Sequence, residues 1–201
     1  MSTYFTLDRW ITLLQRAGKE GGKILTPYNL QIESGLSLTA IKKSIQRLRK
    51  KGYIAKLKGN FYANTFAFPS LEEIAMLLGR PCYISFESAM EKHGIISQMP
   101  LVLTCATSGK TKNITTPIGE ISLHHIHSRL FTDYFNEGGI LWAKPEKALL
   151  DYIYIHLKVR NEIMALDEIN WEGLNKMDLR ELSSKYPKSV KKTLLLWNNL
   201  L

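Results

Sequence analysis

Apolar residues recur at helical spacing from the start of the chain. Leu7, Trp10, Ile11, Leu14 and Ala17 share one face, which predicts an amphipathic helix over residues 7–17. The run Gly18-Lys19-Glu20-Gly21-Gly22 stops it. Thr26 before Pro27 is an N-cap and first-turn pair, opening a short helix to Glu33, and Ser34-Gly35-Leu36 then turns tightly. Ser37 caps a third helix to about Lys51, with Gly52 as its left-handed stop. Within that helix Leu38, Ile41, Ile45 and Leu48 form the expected buried stripe. Thr39, Lys42, Lys43, Gln46, Arg47 and Lys50 lie on the other side, flanked by Arg49 and Lys51. Tyr53, Ala55 and Leu57 alternate with Ile54, Lys56 and Lys58, break at Gly59-Asn60 and resume as Phe61-Tyr62-Ala63, which predicts a hairpin. Helix, short helix, tight turn, basic helix and basic hairpin is the order of a winged helix-turn-helix.

The pattern changes after Pro69. Ser70-Leu71-Glu72-Glu73 is a capping box opening a short helix to Leu78, and residues 85–92 predict another, stopped by His93-Gly94. From Leu101 to Phe135 the residues favour strands, expected over 101–105, 113–116 and 120–126. Pro145 begins an apolar helix with Leu149, Leu150, Ile153 and Leu157. Asp178-Leu179-Arg180-Glu181 is expected as a further capping box, and the last helix carries Val190, Leu194, Trp197 and Leu201 on one face. The expected fold is α+β, with a winged helix-turn-helix domain over residues 1–68 and a mixed α+β domain over 69–201.

Charge sharpens that division. The chain carries 27 Lys/Arg against 18 Asp/Glu, a net +9. Residues 1–68 hold twelve cations against Asp8, Glu20 and Glu33, whereas residues 69–201 hold fifteen of each sign. All the excess charge thus lies in the first third, as expected when one module touches nucleic acid and the other does something else. An α-helix fits the major groove of duplex DNA, where Gln46 can pair with adenine and Lys or Arg with guanine. Lys50, Lys51, Lys56 and Lys58 are expected on phosphates, and Asn60 at the hairpin tip completes the candidate DNA-binding set of Thr39, Lys42, Lys43, Gln46, Arg47, Lys50, Lys56 and Lys58. A basic helical face is ordinarily a solvated surface. Here it is the helix order, the hairpin and the charge asymmetry together that favour DNA. Two cysteines, Cys82 and Cys105, are too few for a disulfide framework, and no apolar run or leader pattern suggests a membrane or export, so a cytoplasmic protein is expected.

Other chemistry fares worse. Gly109-Lys110-Thr111 looks like the tail of a phosphate loop, but Thr104 stands where the first glycine belongs and the β-branched residues up to Pro117 oppose a following helix. Gly18 to Lys23 fails likewise, with Ala17 and Ile24 at the required positions. His124-His125-Ile126-His127 would place His125 and His127 on a face with Ile121 and Leu123, two ligands lacking an evident third among His93, His156 and Asp133. Glu72-Glu73 and Asp167-Glu168 read as helix caps and solvated faces. No nucleophile motif appears, so neither catalysis, metal nor cofactor is expected.

Two segments carry a family likeness, residues 83–100 (YISFESAMEKHGIISQMP) and 143–154 (AKPEKALLDYIY). With the preceding winged helix they make the chain resemble, over about residues 6–160, the AbiEi antitoxins of type IV toxin–antitoxin systems, first known from phage abortive infection. The resemblance implies a winged domain that represses its own operon at inverted repeats in double-stranded DNA. It further implies a C-terminal domain that counters a nucleotidyltransferase toxin without a stable complex. The toxins themselves need two metal-binding aspartates one residue apart, and no Asp-x-Asp occurs in this chain. A different class of reading is a ligand-responsive transcription factor whose second domain senses a small molecule. A third is a metal-dependent enzyme with a DNA-targeting arm. A co-purifying ligand would favour the second, and zinc at His125 and His127 the third.

Overall fold

The computed structural model describes residues 5–159 and 169–198, so Asp167, Glu168 and Leu201 of the expectations above lie outside the described residues. Its backbone contacts divide the chain into two compact units. The first is Met1–Ser70 with Thr116–Ile118, and the second is Leu71–Thr115 with Gly119–Leu201. Together they make a mixed α+β protein.

The first unit runs α1 (Leu7–Lys19), β1 (Ile24–Leu25), α2 (Pro27–Ser34), α3 (Leu38–Lys50), β2 (Ile54–Lys58) and β3 (Phe61–Asn64). Thr6 caps α1 by accepting from the Arg9 amide at 3.3 Å. Thr26 and Asn29 form a reciprocal capping box at the start of α2, which leaves few orphaned donors in so short a helix. Gly35, at φ +67°, ends α2 in the left-handed region open to glycine. Trp10, Leu14, Leu30, Ile41, Leu48 and Ile54 build one core from all three helices and the hairpin.

Three details differ from the sequence expectation. β1 is an additional two-residue strand, pairing Ile24 with Ala63 and Leu25 with Tyr62 to make a three-stranded sheet in the order β1-β3-β2. Leu38 leaves the buried stripe and is 53% exposed, while Ser44 is buried. Leu38 lies on nearly the same helical meridian as Ile45, but in the first turn of α3, where the core packing has run out. In the hairpin, the register shifts between Lys56 and Lys58. That irregularity resets the alternation, so Ile54 and Leu57, three residues apart, are both buried.

The second unit contains α4 (Leu71–Leu78), β4 (Cys82–Ile84), α5 (Phe86–Lys92), β5 (Leu103–Thr107), β6 (Lys112–Thr116) and β7 (Gly119–His125). These are followed by β8 (Tyr134–Glu137), β9 (Ile140–Ala143), α6 (Pro145–Val159), α7 (Lys176–Ser183) and α8 (Lys188–Asn198). The six strands form a mixed sheet in the order β6-β7-β5-β4-β9-β8. β5 pairs antiparallel with β4 and parallel with β7, so both its edges are occupied and all five of its residues are buried. That position corrects the expected strand over 101–105, since Leu101 is fully exposed and the strand begins at Leu103. β4, β8 and β9 were not expected, each being only three or four residues long. Asn175, not Asp178, caps α7, accepting from the amides of Met177 and Asp178.

Candidate nucleic-acid interface

α3 is amphipathic in the strict sense. Ile41, Ser44, Ile45 and Leu48 are buried, while Thr39, Lys42, Lys43, Gln46 and Lys50 are exposed along the opposite side. Ser37 fixes the start of the helix by accepting from the Ala40 amide at 3.4 Å. Gln46 and Lys50 also line a shallow groove of about 530 Å³ with Lys56 and Thr65, where the end of the helix meets the hairpin. Lys58 and Asn60 stand exposed at the hairpin tip, beside Gly59 at φ +56°. The unit therefore offers one solvated band of amide, hydroxyl and ammonium groups on a helix, with a further cation, Lys58, on the hairpin. Such groups donate to phosphate oxygens and pair with base edges. Arg49 and Lys50 also complement the carbonyl end of the helix dipole, a structural use that needs no ligand.

Two residues of the expected set are placed otherwise. Arg47 is half-buried, and its Nη2 donates to the Phe5 carbonyl at 3.1 Å, tying α3 to the segment before α1. Lys56 folds its ammonium back onto its own hairpin. It donates to the Gly59 carbonyl and to the Tyr62 hydroxyl, and lies 4.4 Å from the Tyr62 ring centroid. Both cations have work to do inside the fold. Sequence reading also missed Asn64, whose buried amide donates to the Leu14 and Gly22 carbonyls at 2.8 and 3.2 Å and so pins the hairpin to α1.

The second unit holds a buried polar centre that the sequence did not announce. The Asp151 carboxylate, 0% exposed, accepts from Tyr83 (2.8 Å) and Ser85 (2.9 Å) at one oxygen and from Lys147 (2.5 Å) and Tyr186 (2.7 Å) at the other. Four donors thus meet the four lone-pair positions of a carboxylate. Burial pushes the Lys147 ammonium below its ordinary range while Asp151 pulls it back, and burial beside Asp151 holds the Tyr83 and Tyr186 phenols protonated far above theirs. Ser85 precedes α5 but makes no capping bond, because its hydroxyl serves Asp151. Thr104 of β5 takes over that duty, accepting from the Ser88 amide at 3.1 Å. The centre thereby joins β4, α6 and the segment before α8. Its groups are sealed from solvent, which suits anchoring rather than turnover.

The histidines are engaged in the fold. His125 Nδ1 meets the Gly109 carbonyl at 2.7 Å, His127 accepts from the Arg129 amide, and His124 stands edge-on to Phe86. The strand ends at His125, so His125 and His127 do not share a strand face as expected. Among the described residues, no three His, Cys, Asp or Glu side chains gather as a metal site. No described helix is long and apolar enough to cross a membrane.

The architecture defines a mixed α+β protein. No protein-family model matches the chain, and no curated protein matches it. Among solved structures it is similar to the RV2827C protein from Mycobacterium tuberculosis, with a TM-score of 0.56 and 13% identity over 89% of this chain and 72% of that one. At that identity the likeness concerns the fold alone.

Proposed function

We propose that the first unit is a winged helix-turn-helix that binds duplex DNA, and that the chain is a cytoplasmic autorepressor and antitoxin of a type IV toxin–antitoxin operon. The observation that carries the reading is the exposed band of Thr39, Lys42, Lys43, Gln46 and Lys50 on a helix whose opposite face is committed to the core. A helix of 13 residues is about 20 Å long, enough to lie in a major groove and present several of these side chains to base edges. Lys58 and Asn60 would then meet the flanking backbone from the hairpin. The antitoxin assignment rests on the likeness of residues 83–100 and 143–154 to AbiEi proteins, and those segments supply Tyr83, Ser85, Lys147 and Asp151 of the buried centre.

Repression and rescue should separate by mutation. Lys42→Glu with Lys43→Glu sets two carboxylates against phosphates without touching the core, and should abolish repression of the chain's own promoter. Arg47 is unsuitable for this purpose because its contact with Phe5 is structural. Expressed from a foreign promoter, the double variant should still protect cells against the nucleotidyltransferase encoded beside the gene. Loss of protection with the protein folded and toxin levels unchanged would make DNA binding itself the antidote. If no toxin-like reading frame adjoins the gene, the antitoxin assignment fails.

A further inference from the structure

α7 sorts its charges by side. Asp178 and Glu181 line a small cavity with Asp133 and Lys185, whereas Lys176 and Arg180, four residues apart, line another. That second cavity is a cleft of about 530 Å³, floored by Trp171, Leu174, Leu179 and Leu194, with Lys191 of α8 as a further cation. Among the described residues, no acidic side chain lines it and none of the three cations forms an ion pair. Clefts of about 300–1,000 Å³ with apolar walls and a few convergent polar groups are the ordinary form of a small-molecule site. Met177 is 81% and Leu195 57% exposed at this cleft, apolar side chains left in water that a bound chain would cover.

We propose that this cleft binds an anionic amphiphile, specifically an aliphatic carboxylate of medium chain length. The apolar floor takes the hydrocarbon, and Arg180 and Lys191 take the carboxylate, the guanidinium by its paired donors. A cationic amphiphile of equal length would meet three like charges. The proposal concerns the second unit and stands or falls independently of the DNA-binding reading.

Calorimetric titration of the full chain with octanoate, decanoate and dodecanoate, each below its micelle-forming concentration, tests it. Affinity should rise about tenfold for every two methylenes buried. Decanoate should bind at least about tenfold more tightly than decyltrimethylammonium, because Lys176, Arg180 and Lys191 are the charged groups among the described lining residues. Arg180→Gln with Lys191→Gln should weaken decanoate by about tenfold or more and leave 1-decanol within about twofold. Should that variant melt early, Met177→Glu at the exposed mouth replaces it, and should weaken decanoate while strengthening decyltrimethylammonium. Equal affinity for the two headgroups, an unchanged decanoate affinity in either variant, or no saturable binding of any of the carboxylates would overturn the proposal.

Discussion

Truncating Asp151 to alanine removes the acceptor at the middle of the buried centre. Lys147, 1% exposed, would keep only the Tyr186 hydroxyl at 2.6 Å, and Tyr83 and Ser85 would lose their acceptor altogether. Breaking a buried ion pair by removing one partner costs about 3–5 kcal/mol. Each orphaned hydroxyl adds about 1–3 kcal/mol, less where water enters the space left by the carboxylate. A net loss of about 4–6 kcal/mol is expected, or a fall in melting temperature of roughly 8–24 °C for a chain of this size. Lys147→Met breaks the same pair but should cost less, about 3–4 kcal/mol, because methionine fills the volume and the carboxylate keeps three hydroxyl donors. Urea titrations followed by tryptophan fluorescence and far-UV circular dichroism give both numbers. If Asp151→Ala lies within about 1 kcal/mol of the natural chain, or Lys147→Met is the more damaging, then the carboxylate is not what holds this centre together.

Other consequences are as direct. Gln46→Ala and Lys43→Ala should relax discrimination between DNA sequences by about 1–3 kcal/mol, whereas Lys58→Ala should weaken all duplexes alike and reduce the salt slope by about one, both read by fluorescence anisotropy. Tyr83 and Tyr186 have folded-state pKa values raised above their unfolded ones, so the stability they contribute is complete below about pH 10 and is lost as pH rises beyond it. Lys147, lowered by burial, works in the opposite sense but is a single group against two. Spectrophotometric titration of phenolate should therefore show two tyrosines that ionise only on unfolding. Gly79→Ala should destabilise by about 1–3 kcal/mol, since its Cβ would stand 2.7 Å from the Ala75 carbonyl oxygen and 2.8 Å from both Cys82 Sγ and a Leu123 methyl.

The long periodic segments were legible because local physics decides them. Thr26-Pro27, Ser37 and Gly52 marked helix ends that the fold also uses, and Ile41, Ile45 and Leu48 marked the core face of α3. The short strands were not, since three or four residues such as Cys82–Ile84 carry too little periodicity and owe their conformation to paired neighbours. The hairpin's alternation misled at Leu57 because a register shift is invisible in a two-residue period. Lys147 and Asp151 sit four residues apart, as any solvated helical pair does, and only the tertiary structure buries them against Tyr83 and Tyr186. Arg47 shares its spacing with the exposed cations, and its place is set by the distant Phe5 carbonyl.

The central claim is that the exposed face of α3 binds duplex DNA. The most direct measurement is the affinity of the full chain for a duplex from its own promoter, across salt concentration, beside the Lys42→Glu/Lys43→Glu variant. Specific binding should fall linearly on a log–log plot against salt, with each phosphate contact contributing about 0.9 to the slope, and should be lost in the variant while its melting temperature is unchanged. Equal binding by the two proteins, or no binding by the natural chain at low salt, would contradict the account.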